Sequence, residues 1–240
     1  MSSERRSGVL YLIPNTLGDV APETCIAQAV LEHARALDYF IAENEKSARA
    51  FLKRAGVARP LRQIRIERLD HNTPPGNLAA LLAPILEGRD AGLLSEAGLP
   101  AVADPGASLV RLAHARGLRV APLAGPSSLM LALSASGLNG QRFAFHGYLP
   151  VEEDKLVAAL RDLEDESRRW DRTQIFIETP YRNDRTLAAM LRTLDPGTLV
   201  CLGTDLSLTN EQVRTRSVAD WRKDVPSLQG RPTVFLLLAA

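Results

Sequence analysis

Apolar and polar positions in the first half of the chain follow two periods that take turns. Residues 9–13 form a short apolar run, and residues 23–37 follow with Ile26, Val30, Ala34 and Leu37 near helical spacing. Residues 38–42 predict a second strand, and 47–55 a helix that stops at Gly56, a residue suited to the left-handed position after a helix end. A third strand is predicted near 63–69 and a helix over 76–87, bent by Pro84. A strand at 91–95, a helix over 108–116 closed by Gly117 and a strand at 118–123 complete this half. The alternation predicts a parallel sheet with helices on both faces.

After residue 123 the pattern changes. Strands are predicted at 143–145, 173–178, 199–202, 213–218 and 233–238, with helices only near 152–164 and 184–194. Late strands meet without a helix between each pair, which predicts a mixed sheet. The segment 161–172, dense in both charge signs, reads as a helix end and exposed loop. The expected architecture is α/β in two domains, 1–122 with a mostly parallel sheet and 123–240 with a mixed sheet and helices.

Two turns stand out. The strand at 91–95 runs into Ser95-Glu96-Ala97-Gly98-Leu99-Pro100, with Asp104-Pro105-Gly106 just beyond, and Ala124-Gly125-Pro126-Ser127-Ser128 opens an apolar stretch at 129–133. Small residues at a strand's carboxyl end let backbone amides approach a ligand, so the pair reads as a shared cradle. Taken singly, each turn also reads as a structural device, since a Gly-Pro turn with a serine cap is common. Neither Gly-x-Gly-x-x-Gly after the first strand nor a Gly-Lys-Ser/Thr phosphate loop occurs, which argues against a standard dinucleotide or P-loop enzyme.

Composition narrows the class. The chain has 240 residues, 45% of them hydrophobic, enough for an ordinary globular core. Its two cysteines, Cys25 and Cys201, lie far apart, against a disulfide scaffold or zinc ribbon and consistent with a reducing cytoplasm. Residues 1–8 carry Arg5 and Arg6, but 9–13 is too short for a signal-peptide core and 233–240 too short to span a bilayer. The expected location is cytoplasmic, without membrane attachment. A net charge of +1 lacks the basic excess of many nucleic-acid domains. Arg59, Arg62, Arg65 and Arg68 read either as an RNA-facing surface or as a solvated strand face. His33, His114 and His146 show no metal-ligand spacing, and no metal is expected.

The two turns resemble those of the tetrapyrrole (corrin/porphyrin) methylases, S-adenosylmethionine (SAM) dependent methyltransferases. Within that family they resemble the branch that methylates a ribose 2′-oxygen of small-subunit ribosomal RNA. That branch carries Ser-Asp-Ala-Gly-Thr-Pro where this chain has Ser95 to Pro100, then the same Asp104-Pro105-Gly106. Further similarities are Leu133-Ser134-Ala135-Ser136-Gly137-Leu138, Arg142-Phe143 leading to Gly147-Tyr148-Leu149-Pro150, Asp70-His71-Asn72, and Glu178 with Arg182. The first loop departs: the branch has Gly-Asn-Leu-x-Asp, this chain Pro14-Asn15-Thr16-Leu17-Gly18-Asp19. After Ala42-Glu43-Asn44 the family's threonine and arginine are replaced by Glu45 and Lys46. Pro232-Thr233 is closer to the tetrapyrrole side of the family than to the RNA branch.

The resemblance implies a SAM site in the cleft between the domains, a homodimer, and an RNA acceptor. A tetrapyrrole or other small-molecule acceptor is the alternative, and a SAM-binding protein without catalysis a second. SAM needs apolar walls and backbone partners for its adenine and polar partners for its methionine end. Ser95, Glu96, Ala97, Gly98, Val102, Ala103, Ser127 and Ser128 are the cofactor candidates of the first two turns, and Phe176, Ile177, Leu202, Gly203, Pro232 and Thr233 those of the second domain. Gly18 and Asp19 form the acceptor-side loop. An acceptor hydroxyl must lose a proton, and Glu43, at the carboxyl end of its strand, with His71 and Asn72 after the next strand, are the candidates. Glu178 and Arg182, four apart at a strand-to-helix junction, read either as an ion pair fixing the intervening loop or as a contact to the ligand, the structural role being favoured.

Overall fold

A computed structural model describes residues 6–239, so Arg5 lies outside the described residues. The chain divides into two compact units, Met1–Ser127 and Ser128–Ala240. In the first, strand and helix alternate as β1 (Val9–Ile13), α1 (Gln28–Ala36), β2 (Tyr39–Ala42), α2 (Glu45–Arg54), β3 (Arg65–Arg68), α3 (Leu78–Leu86), β4 (Ala91–Leu94), α4 (Ala107–Ala115) and β5 (Arg119–Pro122). All five strands pair in parallel in the order β3-β2-β4-β1-β5.

The period of two along the strands divides the apolar side chains between two cores. Ile13, Phe40, Ala42 and Leu94 pack with Ile26, Leu31, Phe51 and Leu52 on one face. Leu10, Tyr39, Ile41 and Leu93 pack with Leu82, Ile85, Leu109 and Ala113 on the other. Gly92 leaves room over β4 for side chains of the neighbouring strands: a Cβ there would lie 2.7 Å from both Ile13 Cδ1 and Phe40 Cδ1. Asn44 caps α2 by accepting from the Lys46 and Ser47 amides at 3.0 and 3.3 Å. The region 23–37 is helical only from Gln28, because Pro22 opens a separate 3-10 turn, and α3 runs through Pro84 to Leu86.

The second unit contains α5 (Ser128–Ser136), β6 (Phe143–Tyr148), α6 (Glu153–Trp170), β7 (Thr173–Ile177), α7 (Asn183–Thr193), β8 (Leu199–Thr204), β9 (Gln212–Ser217), the single turn α8 (Val218–Trp221) and β10 (Thr233–Leu238). Its sheet has the order β6-β7-β10-β8-β9, parallel only between β6 and β7. One face carries the core of Leu156, Leu160, Leu163, Phe176, Met190, Trp221 and Phe235. On the other, a Cβ at Gly203 would lie 3.0 Å from Ala132 Cβ, so the glycine lets α5 sit close to β8.

The segment 161–172 is not an exposed loop. The helix continues to Trp170, and Asp171, left-handed at φ 46°, ends it. The stripe of Leu156, Leu160, Leu163 and Ser167 carries on through the charged stretch, whose Arg161, Asp162 and Asp165 face outward. Glu164 is turned inward, 6% exposed, and its Oε1 accepts from the Asp195 amide at 2.9 Å and from the Thr198 hydroxyl. It thereby fixes the turn between α7 and β8. Glu164→Ala is expected to cost about 2 kcal/mol, because a buried amide and hydroxyl lose a charged acceptor. The neighbouring Asp162→Ala should stay within about 0.5 kcal/mol. Urea denaturation of the two variants checks the contrast.

Candidate active site at the carboxyl ends of the first sheet

Three loops meet where β1, β4 and β5 end. Asn15 pairs with Gly98 through both backbone hydrogen bonds, 2.9 Å for Asn15 N to Gly98 O and 3.2 Å for the reverse. Its side-chain amide donates to the carbonyls of Ser95 at 3.1 Å and Glu96 at 2.9 Å, and its Oδ1 accepts from the Thr16 amide at 2.8 Å. Asn15 is 3% exposed, so these bonds are shielded from water. Gly98 has φ 68°, and a Cβ there would come within 3.2 Å of Leu17 Cδ2 and 3.4 Å of the Pro126 carbonyl. A Cβ on Gly125 would overlap Pro14, at 2.2 Å from its Cβ. Glycine thus leaves room for close neighbours at both turns singled out in the sequence.

Within the second loop Ala101 and Ala103 adopt left-handed conformations, φ 65° and 56°. An alanine there costs roughly 1–2 kcal/mol relative to ordinary backbone, and such outliers gather where a loop is held for a purpose. Beside it lies a cavity of about 510 Å³ lined by Leu12, Leu99, Pro100, Val102, Pro122, Leu123, Ala124 and Gly125. Its walls are apolar with exposed backbone, a lining that suits a heterocyclic base. Val102 and Ala103 are exposed at this rim, whereas the Ser95 hydroxyl points back at the carbonyls of Ala97, 3.1 Å, and Gly98, 3.2 Å. Ser127 and Ser128, half-buried, stand at the start of α5.

A second cavity, about 650 Å³, opens on the other side of the Asn15 staple. Asn15, Gly18, Asp19, Ser47, Lys53, Arg54, Glu96 and Ala97 contribute to its lining. The Glu96 carboxylate accepts from the Ser47 hydroxyl at 3.0 Å, and Asp19, exposed, pairs with Arg54 at 3.0 Å. The Gly18 carbonyl accepts from the Thr16 hydroxyl at 2.7 Å.

Glu43, directly after β2, approaches His71 Nε2 at 3.8 Å; the carboxylate is 30% exposed and the imidazole 75%. Asn72 is exposed, and its amide serves a turn by donating to Asp70 Oδ1 at 2.9 Å. Asp104 completes this edge. Burial, then the charge of Glu43, push its carboxyl up from 3.8 to about 6; the Gly106 amide and His71 oppose the rise and Glu96 adds to it. Its place in the Asp104-Pro105-Gly106 motif was visible in the sequence, its altered acidity was not.

The candidates of the second unit share one end of that sheet. Ile177 and Gly203 both stand opposite Val234 of the central strand, and Thr233 opposite Thr204. Phe176 and Leu202 are buried in the core, Phe176 stacked on Phe235 with centroids 5.4 Å apart. Thr233 is buried with its hydroxyl donating to the Arg231 carbonyl at 3.0 Å, and Pro232 is exposed with its carbonyl accepting from the Asp205 amide at 2.9 Å. Asp205, left-handed at φ 51°, pairs with Arg231 at 2.8 Å, a link between the loops before β9 and β10 that sequence reasoning passed over. Glu178 and Arg182 form the expected ion pair at 2.5 Å, and the same carboxylate oxygen accepts from the Thr179 amide at 2.6 Å.

Three of the four arginines near β3 have acidic neighbours: Arg59 with Asp38 at 2.7 Å, Arg65 with Glu67 at 2.8 Å and Arg68 with Asp70 at 2.8 Å. They form a charge-balanced rim. Among the described residues no group of three or more His, Cys, Asp or Glu is placed to hold a metal ion, and no helix is long and apolar enough to cross a membrane. Cys201 is buried, and burial pushes its thiol up.

The raised pKa of Asp104 has a definite sign for stability. Its folded value lies above the unfolded one, so the folded state holds the proton more tightly and loses stability as pH rises from about 4 to about 6. Asp104→Asn should therefore melt above the native protein at pH 7.5, with the difference vanishing near pH 4. Thermal melts across that range check it.

Residues 9–221 match the family model of Tetrapyrrole (Corrin/Porphyrin) Methylases. A protein of Escherichia coli called Ribosomal RNA small subunit methyltransferase I is 33% identical over 226 residues, covering 93% of this chain and 75% of that protein. One of the same name from Mesorhizobium japonicum is 35% identical over 214 residues, covering 88% and 69%. Among solved structures, diphthine synthase aligns with TM-score 0.68 at 15% identity, over 97% of this chain and 90% of that one. The methyltransferase CobJ aligns with TM-score 0.64 at 17% identity, over 98% and 95%, and these two likenesses concern the fold. With the family model spanning nine-tenths of the described sequence and relatives above 30% identity covered over more than two thirds of their length, the chain belongs to the tetrapyrrole (corrin/porphyrin) methylases and is a methyltransferase.

Proposed function

We propose that this chain transfers the methyl group of SAM to a ribose 2′-hydroxyl of small-subunit ribosomal RNA, as a cytoplasmic homodimer. The carrying observation is the identity of 30–35% to proteins named for small-subunit ribosomal RNA methylation, extending over about nine-tenths of the chain in several of them. SAM fits the residues present. The 510 Å³ apolar cavity accepts an adenine, and the backbone of 96–98 and 101–103, held open by Gly98 and Gly125, offers amides and carbonyls. Ser127 and Ser128 supply hydroxyls at the start of α5, and Ile177, Gly203, Pro232 and Thr233 would contribute from the second unit. When bound, SAM supplies an activated methyl on a sulfonium.

The chain's own residues then have three tasks: to orient the acceptor, to exclude water, and to take the acceptor's proton. Gly18 and Asp19 line the 650 Å³ cavity that would receive the acceptor, with Lys53 on its wall to meet a phosphate oxygen and Arg54 held there by Asp19. Glu43 would accept the proton at a carboxylate oxygen, with the His71 ring 3.8 Å away. Asn72 would contact the acceptor from the adjoining turn. The Pro232-Thr233 pair favours a second reading, a tetrapyrrole acceptor.

Labelled SAM incubated with small ribosomal subunits, naked ribosomal RNA and a porphyrinogen tests the choice. Label recovered as a 2′-O-methylnucleoside is expected. Label in the porphyrinogen alone, or saturable SAM binding with no transfer to any acceptor, would overturn it. Gly98→Val should lower SAM affinity at least tenfold by calorimetry while the circular dichroism spectrum is kept, since a branched residue at φ 68° must displace Leu17 or Pro126. Glu43→Gln should keep SAM affinity and lose about 100-fold or more in turnover.

A further inference from the structure

At the other end of β7 from Ile177, about 13 Å along the strand, the second unit carries a cavity that none of the site residues touches. It measures about 530 Å³ and is lined by Gln141, Arg142, Phe143, Trp170 and Arg172. Two large aromatic side chains are exposed in it, Phe143 at 43% and Trp170 at 53%. Phe143 stands at the first position of β6, paired with Thr173 of β7, and Trp170 is the last residue of α6, so both are carried by regular elements.

Guanidinium groups surround the rings. Arg169 lies over the Trp170 ring at 5.0 Å from its centroid, Arg142 Nη1 donates to the Trp170 carbonyl at 3.4 Å, and Arg172 is held by Glu166. The acidic groups nearby are engaged: Glu166 by Arg172, and Asp171 by the Asn139 amide at 3.1 Å. Three guanidiniums against two carboxylates leave the rim positive. Flat faces open to solvent beside fixed cations are the features that bind unpaired nucleotides, the bases stacking on the rings and the phosphates meeting arginine.

We infer that this cavity is a second contact for RNA, gripping an unpaired stretch of the acceptor strand away from the methylated nucleotide. Trp170 and Phe143 stack bases, and Arg142 and Arg172 hold the flanking phosphates. The inference rests on the RNA reading above and adds a residue set to it. Such a contact raises affinity for the acceptor without entering the chemistry, so it acts on KM and leaves kcat alone.

The chain supplies its own reporter. It has two tryptophans, and Trp221 is buried at 1% exposure with its ring nitrogen bonded to the Val200 carbonyl at 2.9 Å. Fluorescence quenching on addition of RNA therefore reads Trp170. The full chain is titrated with a twelve-nucleotide single-stranded RNA of mixed sequence and with the same sequence as a duplex. Expected are saturable quenching by the single strand and weaker binding of the duplex. Trp170→Ala should bind about tenfold more weakly, with Trp170→Phe restoring most of the loss. Arg142→Gln should flatten the salt dependence of log affinity by roughly 0.7. In transfer assays Trp170→Ala raises KM for RNA with kcat and SAM affinity unchanged.

If the native chain binds and methylates RNA while Trp170 stays unquenched and Trp170→Ala behaves as native, this inference falls and the RNA reading stands. If the native chain neither binds nor methylates RNA, both fall. A concentration-dependent self-association abolished by Trp170→Ala, with RNA binding untouched, would reassign the cavity to a contact between copies of the chain and overturn the inference.

Discussion

Asn15 commits its backbone amide, its backbone carbonyl and its side-chain amide to the loop that follows β4, and its remaining oxygen to the loop it belongs to. Because the residue is buried, each lost bond would strand a polar group away from water, at about 1–3 kcal/mol apiece. The position of the 96–98 backbone follows from this, and with it the division of the sheet edge into two cavities. The apolar one lies between Leu12, Leu99 and Leu123, the polar one between Asp19, Lys53 and Glu96. Gly98 and Gly125 are required by the same constraint, since a side chain on either would push the loops apart.

Much of the architecture was legible because burial writes a period into the sequence. The inner strands β2 and β4 are buried on both faces, and the elements of that unit came out close to their observed bounds except at the start of α1, expected from 23 and found from Gln28. The segment 161–172 was misread because charge density outweighed periodicity, although Leu156, Leu160, Leu163 and Ser167 continue the helical stripe through it. Glu164 worked against that reading, being a carboxylate on the buried side.

The candidate site was legible in part, and for a different reason. Small residues and prolines mark places where backbone must come close, so the turns at 95–100 and 124–128 announced themselves. Asn15 did not, because its partners lie eighty residues away and an asparagine in a loop has many local uses. Ala101 and Ala103 left no trace either, since nothing about alanine forecasts positive φ. The acidity of Asp104 depends first on its burial and then on the charges of Glu43 and Glu96, which arise only after β2 and β4 are set side by side. Net charge was equally mute: Arg59, Arg65 and Arg68 each stand beside a carboxylate, whereas around Trp170 the guanidiniums outnumber the carboxylates, a distinction that a sum over the chain erases.

The left-handed alanines decide when the loop's disorder is lost. A segment that orders only as a ligand arrives subtracts its conformational entropy from the affinity. Here Asn15 and the two glycines fix residues 96–98 and the strained backbone follows directly behind, so that entropy is lost when the chain folds. Encounter then needs little rearrangement. A loop of this kind favours rapid capture and rapid exchange, which suits a methyl donor that must leave as its demethylated form after every turnover.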